Sequence, residues 1–201
     1  MRWLAWLLPG FIWSKFRDIC RAHLLNAQKL RLGPGCVIRG SRFLHFGNNV
    51  YAHGHLWLEA VGAYRDQRFS PRIVIGDNVA FSEGVHISCI EEILIGSHVL
   101  FGSHVYVSDH NHGLYSGPVQ SHAEEPPAHR RLGGGGPVDI GDNVWIGDNV
   151  VIVGPVSIGV GSIIGANSVV KRNIPPRTIA AGIPAKIIKR FDGETGQWER
   201  A

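Results

Sequence analysis

Cysteine is scarce and unpaired in this chain: Cys20, Cys36 and Cys89 are widely spaced and odd in number. They form neither a disulfide framework nor a zinc pattern, which makes a reducing cytoplasm the expected compartment. Charge is also thin, at 18% Asp, Glu, Lys and Arg against a usual value of about 25%. The net charge of +4 is too small to indicate a nucleic-acid partner. Long apolar runs are missing too. The stretch WLAWLLPGFIW (3–13) is broken by Pro9-Gly10 and falls well short of the ~20 residues that span a bilayer. No small-residue cleavage site follows it, so it does not read as a signal peptide.

What the chain has in excess is glycine, 26 in 201 residues, nearly twice the usual ~7%. No Gly-X-Y period accompanies them, so they serve turns rather than a collagen helix. The hydrophobic fraction of 44% provides for a packed core.

Residues 1–35 read as an apolar, basic and helical segment. Phe16, Ile19, Cys20, Leu24, Ala27 and Leu30 recur at helical spacing over Ser14–Arg31, with Lys15, Arg17, Arg21, Lys29 and Arg31 among them. Such a segment suits either an anionic membrane surface, here the cytoplasmic face of an inner membrane, or a cap on the main domain or a neighbouring subunit.

The main domain, residues 36–190, is set by a step of six. Ile140, Ile146, Ile152, Ile158, Ile164 and Val170 keep it, each of the first five followed four residues on by Val144, Val150, Val156, Ser162 and Ser168. Upstream, Ile75, Phe81 and Ile87 share the beat; after a two-residue slip at Glu91-Glu92 it resumes at Ile95, Phe101 and Val107. Phe46, Ala52 and Leu58 begin it. Neither a helix nor a hairpin series has this period. A short strand plus a corner does, with FGNN (46–49) and IGDN (75–78, 140–143, 146–149) as corners whose Gly and Asn reach positive φ cheaply. Three such units close a triangular coil, and stacked coils make a parallel β-helix. Residues 59–72 and 111–137 interrupt the beat, loops long enough to suggest function. The second holds Gly133–Gly136, which lacks the Lys-Ser/Thr of a phosphate loop and reads as a hinge or as a strap along a neighbour. Residues 191–201 read as a C-terminal tail.

The stretches IGDNVWIGDNVVI (140–152), IIGANSVV (163–170) and NIPPRTIAAGIPAKIIK (173–189) resemble the hexapeptide-repeat acyltransferases, and SDHNHG (108–113) resembles the sugar O-acetyltransferases of surface-polysaccharide assembly. The resemblance implies a left-handed parallel β-helix, a homotrimer with active sites between subunits, and acetyl-coenzyme A as donor. It implies His110 as the general base that takes the acceptor hydroxyl proton, a task suited to an imidazole. Asp109, His112 and His86 are candidates to contact the acceptor sugar. Asp109, Glu83 and Glu91 are candidates to orient the base. Where maltose and galactoside acetyltransferases place an asparagine about two coils before the histidine, this chain has Gly84, with His86 close by. For the donor, the resemblance points to Trp145 near the thioester arm, Ala166 at the pantetheine slot, and Lys171, Arg172, Lys186 and Lys189 toward the nucleotide phosphates.

The expected activity is O-acetylation of a saccharide hydroxyl in lipopolysaccharide, capsule or exopolysaccharide assembly, with no metal required. N-acetylation of an amino sugar or antibiotic is the alternative. A carbonic-anhydrase-like zinc site with His104, His110 and His112 is a further one. A purely structural coil would leave the loops and SDHNHG unexplained.

Overall fold

The computed structural model describes His23, Leu25 and residues 27–201. Consecutive strands pass in turn to three parallel sheets, so that each strand pairs with the one a full coil away. The first sheet takes Arg31–Leu32, Tyr51–Gly54, Ala80–Glu83, Leu100–Phe101, Trp145–Ile146, Ile163–Ile164 and Thr178–Ala181. The second takes Val37–Arg39, Trp57–Ala60, His86–Cys89, Tyr106–Ser108, Val151–Val153 and Val169–Val170. The third takes Leu44–Phe46, Arg72–Ile75, Glu92–Ile95, Val138–Ile140 and Val156–Ile158. The six-residue beat is therefore a β-helix of stacked three-sided coils.

The core is the beat itself. Ile75, Val79, Phe81, Val85 and Ile87 are buried, as are Ile140, Val144, Ile146, Val150 and Ile152. Phe81 and Phe101 stack at 4.8 Å between centroids. The corners explain the IGDN spelling. Asn78, Asn143 and Asn149 have φ of 57°, 57° and 56°. Asp142 Oδ1 accepts the Ser97 N–H and Asp148 Oδ1 the Ser103 N–H of the preceding coil, both at 2.7 Å. Coil-to-coil contact at these corners leaves no room for a side chain: a Cβ on Gly102 would lie 2.4 Å from Asp148 Oδ1. His98 and His104 occupy such corners at φ 60° and 57°.

Two expectations change. The helix expected over Ser14–Arg31 lies largely outside the described residues, and its end is strand. Gln28 bridges Asn48 in parallel, and Arg31–Leu32 pair with Tyr51–Ala52, so the coil begins ahead of residue 36. The C-terminal tail is a β-hairpin: Lys186–Asp192 runs antiparallel to Thr178–Ala181 and pairs with Gln197–Arg200.

Both insertions leave the edge between the second and third sheets, and they dock on one another. Ala63–Tyr64 and Gln67–Arg68 form a small hairpin, and Asn111–His112 pairs antiparallel with Leu132–Gly133. Tyr64 Oη donates to the Ala128 carbonyl at 2.6 Å. Gln67 exchanges two hydrogen bonds with the Leu132 backbone, at 3.0 and 2.8 Å. The Gly133–Gly136 run reads in sequence as a hinge or a strap along a neighbour. It is packed against this chain's own Asp109–His110, where Gly136 N–H donates to the Asp109 carbonyl at 2.8 Å. A Cβ on Gly135 would fall 2.2 Å from the Asp109 oxygen and 2.9 Å from the His110 Cα. Gly135→Ala should therefore displace this segment, costing about 1–3 kcal/mol in stability. It should lower kcat by about 10²-fold, since a displacement near 1 Å is enough for that. Chemical denaturation and steady-state rates check both.

Candidate active site

Ser108, Asp109 and His110 end the second-sheet strand of the fourth coil, where the beat gives way to the long insertion. Their side chains are buried, with Asp109 1% and His110 8% exposed. A carboxylate without solvent needs several donors, and Asp109 has four. Its Oδ1 lies 2.8 Å from His110 Nδ1 and 2.9 Å from Ile90 N. Its Oδ2 accepts from Glu91 N at 2.7 Å and from Cys89 Sγ at 3.1 Å. The two-residue slip at Glu91-Glu92 leaves the Ile90 and Glu91 N–H groups between strands, free for this carboxylate. Burial, the largest influence, pushes the Asp109 pKa up; the His110, Ile90, Glu91 and Cys89 bonds outweigh it and hold the group below its ordinary 3.8. Burial and then the Asp109 charge push the Cys89 thiol well above its ordinary value, so it acts as a neutral donor.

An ionised carboxylate only accepts, so Nδ1 is the ring nitrogen that carries a proton toward Asp109, and in the neutral ring the lone pair is on Nε2. Among the described residues nothing is hydrogen bonded to that Nε2. Ser108 Oγ donates to the His110 carbonyl at 2.9 Å and accepts the His110 N–H at 3.2 Å, fixing the backbone of the ring. Ser108, Cys89 and the two N–H groups were not singled out by sequence. The signal for them was the slip, which marks the turn facing Asp109.

His86 lies one coil before His110 rather than two, because its strand pairs directly with Tyr106–Ser108. It sits on the outer face between Trp57, stacked at 4.7 Å, and Tyr106, edge-on at 5.2 Å. Burial is the main cause that lowers its pKa, opposed by Glu59 and aided by His110. Its Nε2 is shielded and has no hydrogen-bond partner among the described residues. His112 is exposed, with the Tyr64 ring edge-on at 5.5 Å and Tyr64 Oη 3.4 Å from Nδ1.

The remaining candidates lie elsewhere. Lys171 and Arg172 follow the second-sheet strand Val169–Val170 on the same edge as His110, two strand steps or roughly 10 Å along. Trp145 stands exposed on the first sheet, in register with Leu100 and Ile163. Ala166 is at a corner between the first and second sheets, stacked on Gly147. Lys186 and Lys189 are on the strand that covers Thr178–Ala181. His110 and Trp145 thus occupy different faces of one chain. Glu83, offered as an orienting carboxylate, instead holds His53 at 2.9 Å and His55. His104 and His110 lie at different corners, and among the described residues no group of three or more His, Cys, Asp or Glu is placed to hold a metal ion.

Residues 137–172 match the bacterial transferase hexapeptide (six repeats) family. The chain is 41% identical over 198 residues, 96% of its length, to an Escherichia coli K12 protein named as the lipopolysaccharide biosynthesis O-acetyl transferase WbbJ, and covers 95% of it. It is 34% identical over 154 residues to the galactoside O-acetyltransferase of the same organism, covering 74% of this chain and 55% of that one. Among solved structures, it resembles the Vibrio cholerae hexapeptide-repeat acetyltransferase VCA0836 complexed with acetyl coenzyme A (26% identity, 82% and 72% of the two chains, TM-score 0.51). The Bacillus cereus N-acyltransferase AntD shares the fold at 20% identity, with TM-score 0.67 and 84% of each chain covered. The chain belongs to the hexapeptide-repeat acyltransferases.

Proposed function

We propose that this protein is an acetyl-coenzyme A-dependent O-acetyltransferase of a saccharide hydroxyl in bacterial surface-glycan assembly. The observation that carries the reading is the buried Asp109–His110 pair, with His110 Nε2 unpartnered among the described residues where the repeat opens into a loop. The lipopolysaccharide role rests on the relative named for it, which this chain matches over 96% of its length.

In this mechanism the Asp109 carboxylate holds Nδ1–H, and His110 Nε2 takes the acceptor hydroxyl proton as that oxygen attacks the thioester carbonyl carbon. The tetrahedral intermediate then collapses. The C–S bond breaks, and Nε2–H returns the proton to the leaving thiolate, releasing free coenzyme A and the O-acetyl ester. The acceptor sugar lies along the outer second-sheet face, where Trp57, His86 and Tyr106 form an aromatic row. His86 packs in this row, and the exposed His112, beside Tyr64, offers the sugar a polar contact.

The donor lies against Trp145 and Ala166, with Lys171, Arg172, Lys186 and Lys189 toward its phosphates. Because Trp145 and His110 do not share a face, the site is completed by a second copy of the chain. A left-handed coil in a homotrimer does this, and the exposed Tyr51, Leu100 and Trp145 of the first sheet supply an apolar surface for the contact. The enzyme works in the cytoplasm, with its apolar, basic N-terminus bringing it to an acceptor at the inner membrane. Among the described residues no helix is long and apolar enough to cross a membrane.

The product decides between hydroxyl and amine acceptors. Incubation with acetyl-coenzyme A and a panel of sugars should give an acetylated glycan that mild alkali cleaves, as an ester is cleaved. An alkali-stable product formed only from amino sugars would contradict O-acetylation and point to the amide-forming alternative.

A further inference from the structure

A cavity of about 520 Å³ opens on the edge that carries His110, nearer the N-terminal end of the coil. Arg42, Phe43 and Ser41 line it from the first turn of that edge, and Gly62, Ala63 and Arg68 from the short hairpin insertion. Its position follows from the stacking. Val37–Arg39, Trp57–Ala60, His86–Cys89 and Tyr106–Ser108 are consecutive strands of one sheet, so the cavity's corner and the corner of His110 are three steps apart. At about 4.8 Å per step this is roughly 14 Å.

The charge of the cavity is not balanced from within. Nearby, Arg39 is paired with Glu59, Arg72 with Glu92 and Arg131 with Asp66. Arg42 and Arg68 have no carboxylate within ion-pair distance among the described residues. The Arg42 guanidinium lies 4.6 Å from the Phe43 ring centre and beside Gly62, where a Cβ would come within 3.4 Å of its Nη2. Arg68 Nη1 donates to the Arg65 and Gln67 carbonyls, both at 3.0 Å, which fixes the head of the side chain on its own turn. Two arginines, one against a ring and one on backbone carbonyls, line one cavity together with the small residues Gly40, Ala60, Gly62 and Ala63, which gives it a positive lining. Guanidinium is the side chain best matched to phosphate oxygens. Two unpaired charges call for at least two negative charges, which a diphosphate carries and a single carboxylate does not.

The hairpin that supplies Ala63 and Arg68 also supplies Tyr64, whose ring meets His112. One small element thus joins the cavity to the neighbourhood of the proposed base. We infer that this cavity binds the diphosphate end of the acceptor while the sugar to be acetylated lies at His110. The inference rests on the acceptor reading given above, and it defines the substrate class as a diphosphate-linked saccharide. The separation of roughly 14 Å exceeds one pyranose ring and suits a short glycan between the two points.

The test uses the full chain saturated with coenzyme A, which removes the donor's own phosphate contacts from the measurement. Calorimetric titration with inorganic pyrophosphate should show binding that weakens with added salt. Arg42→Gln with Arg68→Gln should weaken it by about tenfold or more, and Arg42→Lys with Arg68→Lys should retain most of it. Coenzyme A affinity and the melting temperature should be alike in all three. Absent binding in the wild type, or equal binding in the Gln variant, overturns the inference.

Kinetics supply the second arm, with one short oligosaccharide presented as a nucleoside diphosphate, as a prenyl diphosphate and as its methyl glycoside. The Gln variant should raise KM about tenfold for one or both diphosphates with kcat held. The diphosphate that responds identifies the source of the group. An equal KM rise for the methyl glycoside would mean a structural defect and overturn the inference. Failure of every sugar to accept acetyl would sink the acceptor reading instead, and pyrophosphate binding would still report on the cavity.

Discussion

Replacing His110 by alanine will lower kcat for acetyl transfer by about 10²–10⁴-fold, the range a positioned general base contributes. The fold should survive. The ring is buried, but the coil around it is held by the inward ladder of Ile87, Val107 and Ile152, which the substitution does not touch. KM for acetyl-coenzyme A should change little, because the substitution leaves the donor candidates Trp145, Ala166, Lys171, Arg172, Lys186 and Lys189 in place. A variant that kept its far-ultraviolet circular dichroism and its rate would transfer the role of base to His112 or His86.

Asp109→Asn should be the second largest loss, with two separable parts. The amide would present N–H to a ring nitrogen that now donates. The tautomer would then be set against a free Nε2 lone pair, and kcat should fall by about 10²-fold or more. Stability should fall as well, by about 2 kcal/mol, since charge-assisted bonds from Ile90, Glu91 and Cys89 are weakened in a site without solvent. The pH dependence has a definite sign. The folded-state pKa of Asp109 lies below its ordinary 3.8, so the ionised group contributes stability above that value and loses it as pH falls below. The stability gap between wild type and Asp109→Asn should be constant at neutral pH and close in acid. Chemical denaturation at a series of pH values measures it. A gap that widened in acid would contradict an ionised Asp109.

The coil and the place where it opens at His110 were legible in sequence for a simple reason: both depend on local spelling. An inward Ile or Val every sixth residue needs no knowledge of what lies opposite, because the opposite residue is the same position one coil on. Asn at a corner announces positive φ by itself, and His110 is marked by standing where the spelling stops. The first coil was harder. Leu32 and Ile38 keep the step of six, in register with Ala52 and Leu58 of the next coil, but the step to Phe46 is eight. Leu24, Ala27 and Leu30 can also be read at helical spacing, which hides the start of the beat.

The insertions were not legible at all, because what orders them is contact between segments remote in sequence. Nothing in Tyr64 or Gln67 announces His112, Ala128 or Leu132 as partners. The close fit of the glycine run was hidden for the same reason: the letters do not say that the Asp109 carbonyl lies against Gly135. Likewise Asp109, Glu83 and Glu91 were equivalent as letters. Only the fold shows that Asp109 reaches the ring, that Glu83 is taken by His53 and His55, and that the Glu91 backbone serves Asp109.

Acetyl transfer through His110 is tested most directly by release of free coenzyme A from acetyl-coenzyme A, in wild type and His110→Ala, with and without a saccharide acceptor. Circular dichroism of each protein checks the fold. Release by the wild type should depend on the sugar and should drop by about 10²-fold or more in the folded variant. Sugar-dependent release at the same rate by both proteins would remove His110 from the role of base.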